Sequence, residues 1–218
     1  ATALTLLRRF TWADAEIRER PTITIAAKIN AAKFIKIQTI DQFDFDVCIS
    51  TRKLKKTYLD LHEKAKSGEL SRAIFIGQAG LGKTHLARAL GYAACQAKTN
   101  VLFSTAAKIT NKLATAKSIH NLESEINKFK RPRILIIDEL GYVNMDIEAS
   151  NLFFQLISAR HDQGLGTIVT SNIRFAEWNQ IFANDRISQV IIERLIEGAS
   201  IFHLEGNSYR VPGLKPKK

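Results

Sequence analysis

One eight-residue segment constrains this chain more than any other. Residues 77–84 read GQAGLGKT and match the phosphate-binding pattern G-x-x-x-x-G-K-[ST] at every specified position. An apolar run at 73–76 precedes the segment, and an amphipathic helical pattern follows from Lys83. Loop N–H groups and a helix N-terminus together favour an anion. The segment therefore predicts a polyphosphate site rather than an ordinary glycine turn.

Each position of this loop has an expected part in binding ATP. Lys83 can reach the β- and γ-phosphates, and the hydroxyl of Thr84 can hold Mg²⁺. The expected nucleotide-binding residues of the loop are Gly77, Gln78, Ala79, Gly80, Leu81, Gly82, Lys83 and Thr84. GTP is disfavoured, because residues 111–114 read NKLA and fail the guanine signature N-K-x-D at its acid.

Short apolar runs alternate with helical patterns from residue 73 onward. The runs lie at 73–76, 101–103, 134–137, 167–170 and 201–204. The helical patterns lie at roughly 83–97, 106–116, 119–130, 148–162 and 187–197, with a short one near 175–181. Such alternation predicts an α/β fold, with right-handed crossovers and a parallel sheet covered by helices on both faces.

The residues before the sheet are less regular. Residues 1–38 look helical, polar and basic, and Pro21 favours two short helices over one. Residues 39–50 are predicted to be an extended, aromatic-rich connection, and 53–67 a helix. The expected division is a helical N-terminal region at 1–38, an ATPase domain at 39–211 and a basic tail at 212–218.

Two further apolar strands are predicted to bring polar side chains to the phosphate loop. Asp138 and Glu139 end the run RILIIDE, and ligands of open α/β sheets bind at the carboxyl ends of strands. We expect Asp138 to hold Mg²⁺, directly or through water, and Glu139 to polarise the water that attacks the γ-phosphate. Asn172 follows the run TIVT and is a candidate for contacting that water or the γ-phosphate, although Ser-Asn also suits a turn.

The charge balance points to a polyanionic partner. Lysine and arginine exceed acids by 11 and the isoelectric point is near 9.8, which favours nucleic acid first. Lys108 and Lys112 are four residues apart on one helix face, and with Lys117 they are the candidates for binding DNA phosphates without sequence readout. A second basic cluster occupies 52–56. Solvated basic faces are the alternative interpretation of both clusters.

Cysteine, histidine and hydropathy patterns predict a cytoplasmic protein. Cys48 and Cys95 are isolated, which excludes a disulfide framework and favours a reducing compartment. The five histidines lack metal-ligand spacing. Neither a membrane span nor a signal peptide is predicted.

Several long segments carry a family resemblance. GQAGLGKTHLARALGYAA, ILIIDELGY, ASNLFFQLISARHDQGLGTIVTSN and FAEWNQIF resemble the IstB-like ATPases, which are AAA+ helpers of DNA transposition encoded by insertion sequences. The likeness is close over 39–210 and weaker over 13–38. The helicase loader DnaC and the initiator DnaA are broader relatives. The resemblance implies an AAA+ P-loop fold, and the 14 residues after Leu204 leave no room for a helical lid.

The resemblance also implies residue roles. Arg194, in VIIERL, matches an arginine finger that acts on a neighbouring subunit's phosphates, although a cation near a helix C-terminus is favoured in any case. Phe43 and Phe45 match a segment that covers the adenine, and Arg210 matches a residue that could touch the nucleotide.

These observations together predict a Mg²⁺-dependent ATPase that assembles head to tail on double-stranded DNA and assists a transposase in target selection. One alternative is a replicative helicase loader. Another is a nucleotide-gated DNA-binding scaffold with negligible turnover. A small-molecule kinase is least favoured, because the chain shows neither a lid nor an evident substrate pocket.

Overall fold

The computed structural model describes residues 24–47, 49–70 and 72–206. Its strands are β1 (Arg72–Gly77), β2 (Val101–Thr105), β3 (Ile134–Leu140), β4 (Gly166–Ser171) and β5 (Ser200–Leu204). Its helices are α1 (24–31), α2 (Ile49–Lys66), α3 (Lys83–Gln96), α4 (Ala106–Ser118), α5 (Leu122–Lys130), α6 (Ile147–Asp162) and α7 (Asp185–Ile196). Short 3-10 helices lie at Ile40–Gln42, Phe45–Val47 and Phe175–Ile181.

The five strands form one parallel sheet in the order β2-β3-β4-β1-β5. This confirms the predicted α/β fold. The central strands are buried on both faces, as their continuous apolar runs require. Because β4 lies between β1 and β3, the carboxyl ends of the phosphate-loop strand and the acidic strand are separated by one strand only.

Helices cover both faces of the sheet. Alternate residues of β1 enter opposite layers: Phe75 packs with α2 and α3, whereas Ile74 and Ile76 pack with α4, α6 and α7. None of the helices in the described residues combines the length and apolar composition that crossing a membrane requires.

The connection before α2 differs from the predicted extended segment. The chain forms 3-10 turns at Ile40–Gln42 and Phe45–Val47, and α2 already begins at Ile49. The Thr39 N–H donates to Gln42 Oε1 (3.3 Å), and the Asp46 N–H donates to Asp44 Oδ1 (2.9 Å). These local side-chain bonds favour turns over extended backbone.

The described part of the N-terminal region packs directly on the sheet. Ala32 is fully buried, and its carbonyl accepts a hydrogen bond from the Phe103 N–H of edge strand β2 (2.8 Å). Phe34 packs against the Phe103 ring, with centroids 6.2 Å apart. The predicted domain boundary after residue 38 stays a prediction, and residues 1–23 and 207–218 lie outside the described residues.

A buried arginine joins α6 to the turn after α5. Arg160 has no exposed surface and donates to the carbonyl oxygens of Phe129, Pro132 and Gly166. Burial lowers the pKa of this guanidinium to about 9, so it remains charged at neutral pH. The turn at 129–132 is thereby fixed to the sheet.

Candidate nucleotide-binding site

The phosphate loop leaves the carboxyl end of β1 and leads directly into α3. Gly82 precedes the helix with φ +83°, in the left-handed region that favours glycine. A Cβ at Gly82 would collide with the ring of Phe43, and one at Gly77 would collide with the Leu204 carbonyl. The two glycines therefore let other segments of the same chain approach the loop closely. They also allow the backbone to turn inward.

Lys83 lies inside this loop. Its side chain is mostly buried, and Nζ donates to the carbonyl oxygens of Gly77 (2.6 Å) and Gln78 (2.7 Å). The ammonium charge is thus held against the backbone at the start of the loop. The structure brings all eight predicted loop residues together there.

Thr84 joins the loop to the acidic strand. Its hydroxyl donates to Asp138 Oδ1 (2.8 Å), and Asp138 is only 3% exposed. Thr170, at the end of β4, donates to the same Oδ1 (2.5 Å) and accepts from the Glu139 N–H (3.0 Å). Thr170 was missed by sequence reasoning; its signal is a hydroxyl at the carboxyl end of a strand beside two carboxylates.

A bulge directs the two acidic side chains differently. Between Ile137 and Leu140 the β3–β4 register shifts, so that three steps on β3 match two on β4. Glu139 has φ +61°, and its backbone N–H bonds to Thr170 instead of a ladder carbonyl. Asp138 is buried against Thr84, whereas Glu139 is exposed. Bulges next to active sites re-aim side chains in this way.

Two more polar side chains lie near this edge. Asn172 follows β4 directly and is exposed, at the predicted place between the loop strand and the acidic strand. Arg88 on α3 was not predicted. Burial lowers the pKa of its guanidinium, and the charges of Asp138 and Glu139 act in the opposite direction. Arg88 therefore belongs to the electrostatic surroundings of the acidic pair.

The aromatic candidates for the adenine lie in the core. Phe43 packs edge-on against the His85 ring, with centroids 5.4 Å apart, and touches the loop at Gly82. Phe45 lies behind it, 5.6 Å from the Tyr58 ring centroid. Contact with adenine stays a prediction for both. Arg210 lies outside the described residues.

Arg194 lies near the amino ends of the strands, whereas the phosphate loop lies at their carboxyl ends. It lies in the last turn of α7, and the chain enters the amino end of β5 shortly after that turn. Its Nη1 is 3.7 Å from Asp162 Oδ1, and its guanidinium lies 5.6 Å from the Phe154 ring centroid. The residue is therefore remote from its own chain's Lys83, and a role on a neighbour's phosphates stays a prediction.

A basic cleft of about 330 Å³ lies along edge strand β2. Its floor includes Phe103 and Phe129, and its one acid, Glu125, pairs with Lys128 (2.6 Å). Its cationic residues are Lys28, Lys33, Lys108, Lys112, Lys128 and Arg131. The cleft thus includes Lys108 and Lys112. Lys117 lies outside it and forms an ion pair with Glu148 (2.9 Å).

Known relatives match most of the chain. The family model described as IstB-like ATP binding protein matches residues 10–215. The protein named as the ATP-binding protein of insertion sequence IS232, from Bacillus thuringiensis subsp. berliner, is 33% identical and covers 91% of this chain and 77% of its own length. That of IS5376, from Geobacillus stearothermophilus, is 32% identical, with coverages of 91% and 78%.

Solved structures share the fold. The DnaC helicase loader superposes with a TM-score of 0.65 at 18% identity, over 82% of this chain and 99% of the loader chain. AMPPCP-bound DnaA from Aquifex aeolicus gives a TM-score of 0.63 at 20% identity, over 78% and 50%. The chain has the AAA+ P-loop fold and belongs to the IstB-like ATP-binding protein family.

Proposed function

We propose that this chain binds and hydrolyses ATP with Mg²⁺, and uses the nucleotide to assemble on double-stranded DNA in support of a transposase. The observation that carries the proposal is the hydrogen bond between Thr84 and Asp138 (2.8 Å), which unites the phosphate loop with the acidic strand. The relatives named as ATP-binding proteins of insertion sequences support it.

The residues present fit a nucleotide with its metal. The loop glycines and the start of α3 offer backbone N–H groups, and Lys83 adds a charge. Thr84 and Asp138 place a hydroxyl and a carboxylate side by side, which is the oxygen donor set that Mg²⁺ prefers. Mg²⁺ held by Thr84 and Asp138 would neutralise the charge that develops on the phosphates.

Glu139 is the residue proposed to activate water. Its side chain is exposed at the loop edge, and the described residues give its carboxylate neither a hydrogen-bond partner nor an ion pair. It can therefore orient a water and take its proton. Asn172 is proposed to contact the γ-phosphate or that water, because β4 ends between the two halves of the site.

The position of Arg194 supports head-to-tail assembly. An arginine finger must approach phosphates, yet Arg194 lies at the edge of the sheet opposite its own phosphate loop. The proposed recipient is therefore the phosphate loop of another copy of the chain. Asp162 and Phe154 hold the guanidinium in place, with about a quarter of the side chain exposed.

The basic cleft is the proposed DNA surface. Lys33, Lys108 and Arg131 form no ion pair within the described residues, so their charges are available to phosphates. Family membership favours transposition over helicase loading, since the likeness to DnaC is one of fold. A scaffold with negligible turnover would lack ATP hydrolysis in the presence of DNA.

The first prediction concerns the chemistry. Glu139→Gln should bind ATP normally but lose roughly 10²–10⁴ in kcat, because the general base is removed while the phosphate contacts remain. Lys83→Ala should abolish binding. Calorimetry and phosphate release measure both, and normal turnover by Glu139→Gln would refute the assignment.

The second prediction concerns Thr170. Thr170→Val should lower the free energy of unfolding by about 1–3 kcal/mol, since a buried carboxylate and an N–H lose their partner. It should also lower kcat by about tenfold or more through misplacement of the acidic pair. Thr170→Ser keeps the hydroxyl and serves as control. Urea unfolding and ATPase assays test this; wild-type kcat in the valine variant contradicts it.

The third prediction concerns DNA. Binding should tighten by about fivefold or more in the ATP state and fall steeply with salt, by about 0.9 in the log–log slope for each neutralised phosphate. Lys108→Ala with Lys112→Ala should flatten the slope by about 1 to 2 without changing ATP affinity. The matched control is Lys53→Ala with Lys56→Ala on α2. Anisotropy across a salt series decides: a slope flattened only by the α2 pair moves the DNA surface to α2.

The fourth prediction concerns the neighbouring subunit. Arg194→Ala should bind ATP but fail to hydrolyse it, and mixing it with Lys83→Ala should restore activity, because each supplies what the other lacks. Asp162→Asn removes the ion pair of Arg194 yet keeps the finger, so it should remain active. Assembled mixtures without activity would contradict a site shared between subunits, and an equal loss in Asp162→Asn would assign the effect to the lost ion pair instead of the finger.

A further inference from the structure

Residues 28–43 link the basic cleft to the phosphate loop, and we call this segment the strap. It runs along α3 from the C-terminal end of that helix to its N-terminal end. Its successive contacts on the helix and the loop are Cys95, Gly91, Arg88, His85 and Gly82. The strap therefore touches one side of α3 at nearly every turn.

At the nucleotide end the strap supports the phosphate loop. The ring of Phe43 fills the space that a side chain at Gly82 would need. The Thr39 carbonyl accepts from His85 Nε2 (2.8 Å), and this fixes the proton on Nε2, since a carbonyl cannot donate. Both contacts fall at the junction of loop and helix, beside Lys83. A shift of the strap here must move the loop or leave a gap under it.

In its middle the strap contacts a charge next to the acidic pair. Gln38 Oε1 accepts from Arg88 Nη1 (3.0 Å), and the Arg88 guanidinium lies 4.6 Å from the Phe103 ring centroid. Arg88 Nε is buried and has no hydrogen-bond partner among the described residues. Among the described residues, the bond to Gln38 is therefore the hydrogen bond that anchors this guanidinium.

At the other end the strap lines the cleft. Lys28 Nζ donates to Asn100 Oδ1 (2.5 Å), and Lys28 and Lys33 are both cleft residues. The Ala32 carbonyl bonds to the Phe103 N–H. Phosphates in the cleft would thus act on the same segment that supports the phosphate loop.

We propose that the strap couples DNA in the cleft to ATP in the loop. This inference rests on the proposed function. DNA on Lys28 and Lys33 fixes one end of the strap, and the nucleotide fixes the loop against Phe43 at the other end. Each ligand then stabilises the strap position that the other requires. By linkage, the factor by which DNA raises ATP affinity equals the factor by which ATP raises DNA affinity.

The test measures this factor in both directions. Calorimetry gives the Kd of a non-hydrolysable ATP analogue with Mg²⁺, without and with a saturating duplex. Anisotropy gives the Kd of the duplex, without and with the analogue. In the wild type we expect the two ratios to agree and to reach about fivefold or more, as allosteric couplings commonly do.

Changes in the strap contacts should remove the coupling. In Gln38→Ala with His85→Ala the ratio should fall below about twofold, while each ligand still binds alone. Gln38→Glu with His85→Gln should retain the coupling, because both replacement side chains keep the hydrogen bonds to Arg88 and Thr39. Lys36→Ala is the matched control, an exposed lysine of the strap outside the cleft.

The outcomes separate the inference from the proposed function. A wild-type ratio near one with both ligands bound overturns the coupling and, with it, the nucleotide dependence of DNA binding in the proposed function. An unchanged ratio in the double alanine variant overturns the role of the strap alone. Absence of DNA binding in the wild type overturns the proposed function instead. If the double variant unfolds at a lower temperature than the wild type, single Gln38→Ala replaces it, and a wild-type ratio in that variant overturns the coupling.

Discussion

Strand β4 pairs with β1 on one side and with β3 on the other, and the candidate site depends on that arrangement. The parallel direction brings three carboxyl ends to one edge. Thr170 at the end of β4 can then bond both to Asp138 and to the backbone of Glu139. Thr84 reaches the same carboxylate from α3. A buried carboxylate with two hydroxyl donors is satisfied without a counter-cation, so the site can be stable before any ligand arrives.

The sequence allowed the sheet and much of the site to be predicted because their signals are local. Continuous apolar runs indicated buried parallel strands, and the phosphate-binding pattern identified the residues of the loop directly. Thr170 and Arg88 could not be found this way, since their roles arise from neighbours distant in sequence. The turns at 40–47 were wrongly predicted as extended, because side-chain bonds such as Asp44 to Asp46 outweighed aromatic content.

Two parts of the chain form the lining of the basic cleft. The basic side chains of the cleft come from α1 and the residues directly after it, from α4 and α5, and from the turn that follows α5. Arg160 holds that turn by its carbonyl oxygens, so the wall of the cleft is fixed to α6 and β4. The rest of the lining belongs to the strap, which is attached through Lys28 to Asn100, through Ala32 to Phe103 and through Gln38 to Arg88. The lining of the cleft thus joins a part held by α6 and β4 to a part that continues to the phosphate loop.

The backbone at Glu139 shows how local stability is balanced against chemistry. With φ +61° this position suits glycine, and a carboxylate-bearing residue there costs on the order of 1 kcal/mol in conformational energy. Glycine at this position would therefore make the native state more stable, and selection for stability alone would favour it. A glutamate held in that conformation lowers the stability of the native state, and the proposed role of its exposed carboxylate in activating water offers a reason for that loss.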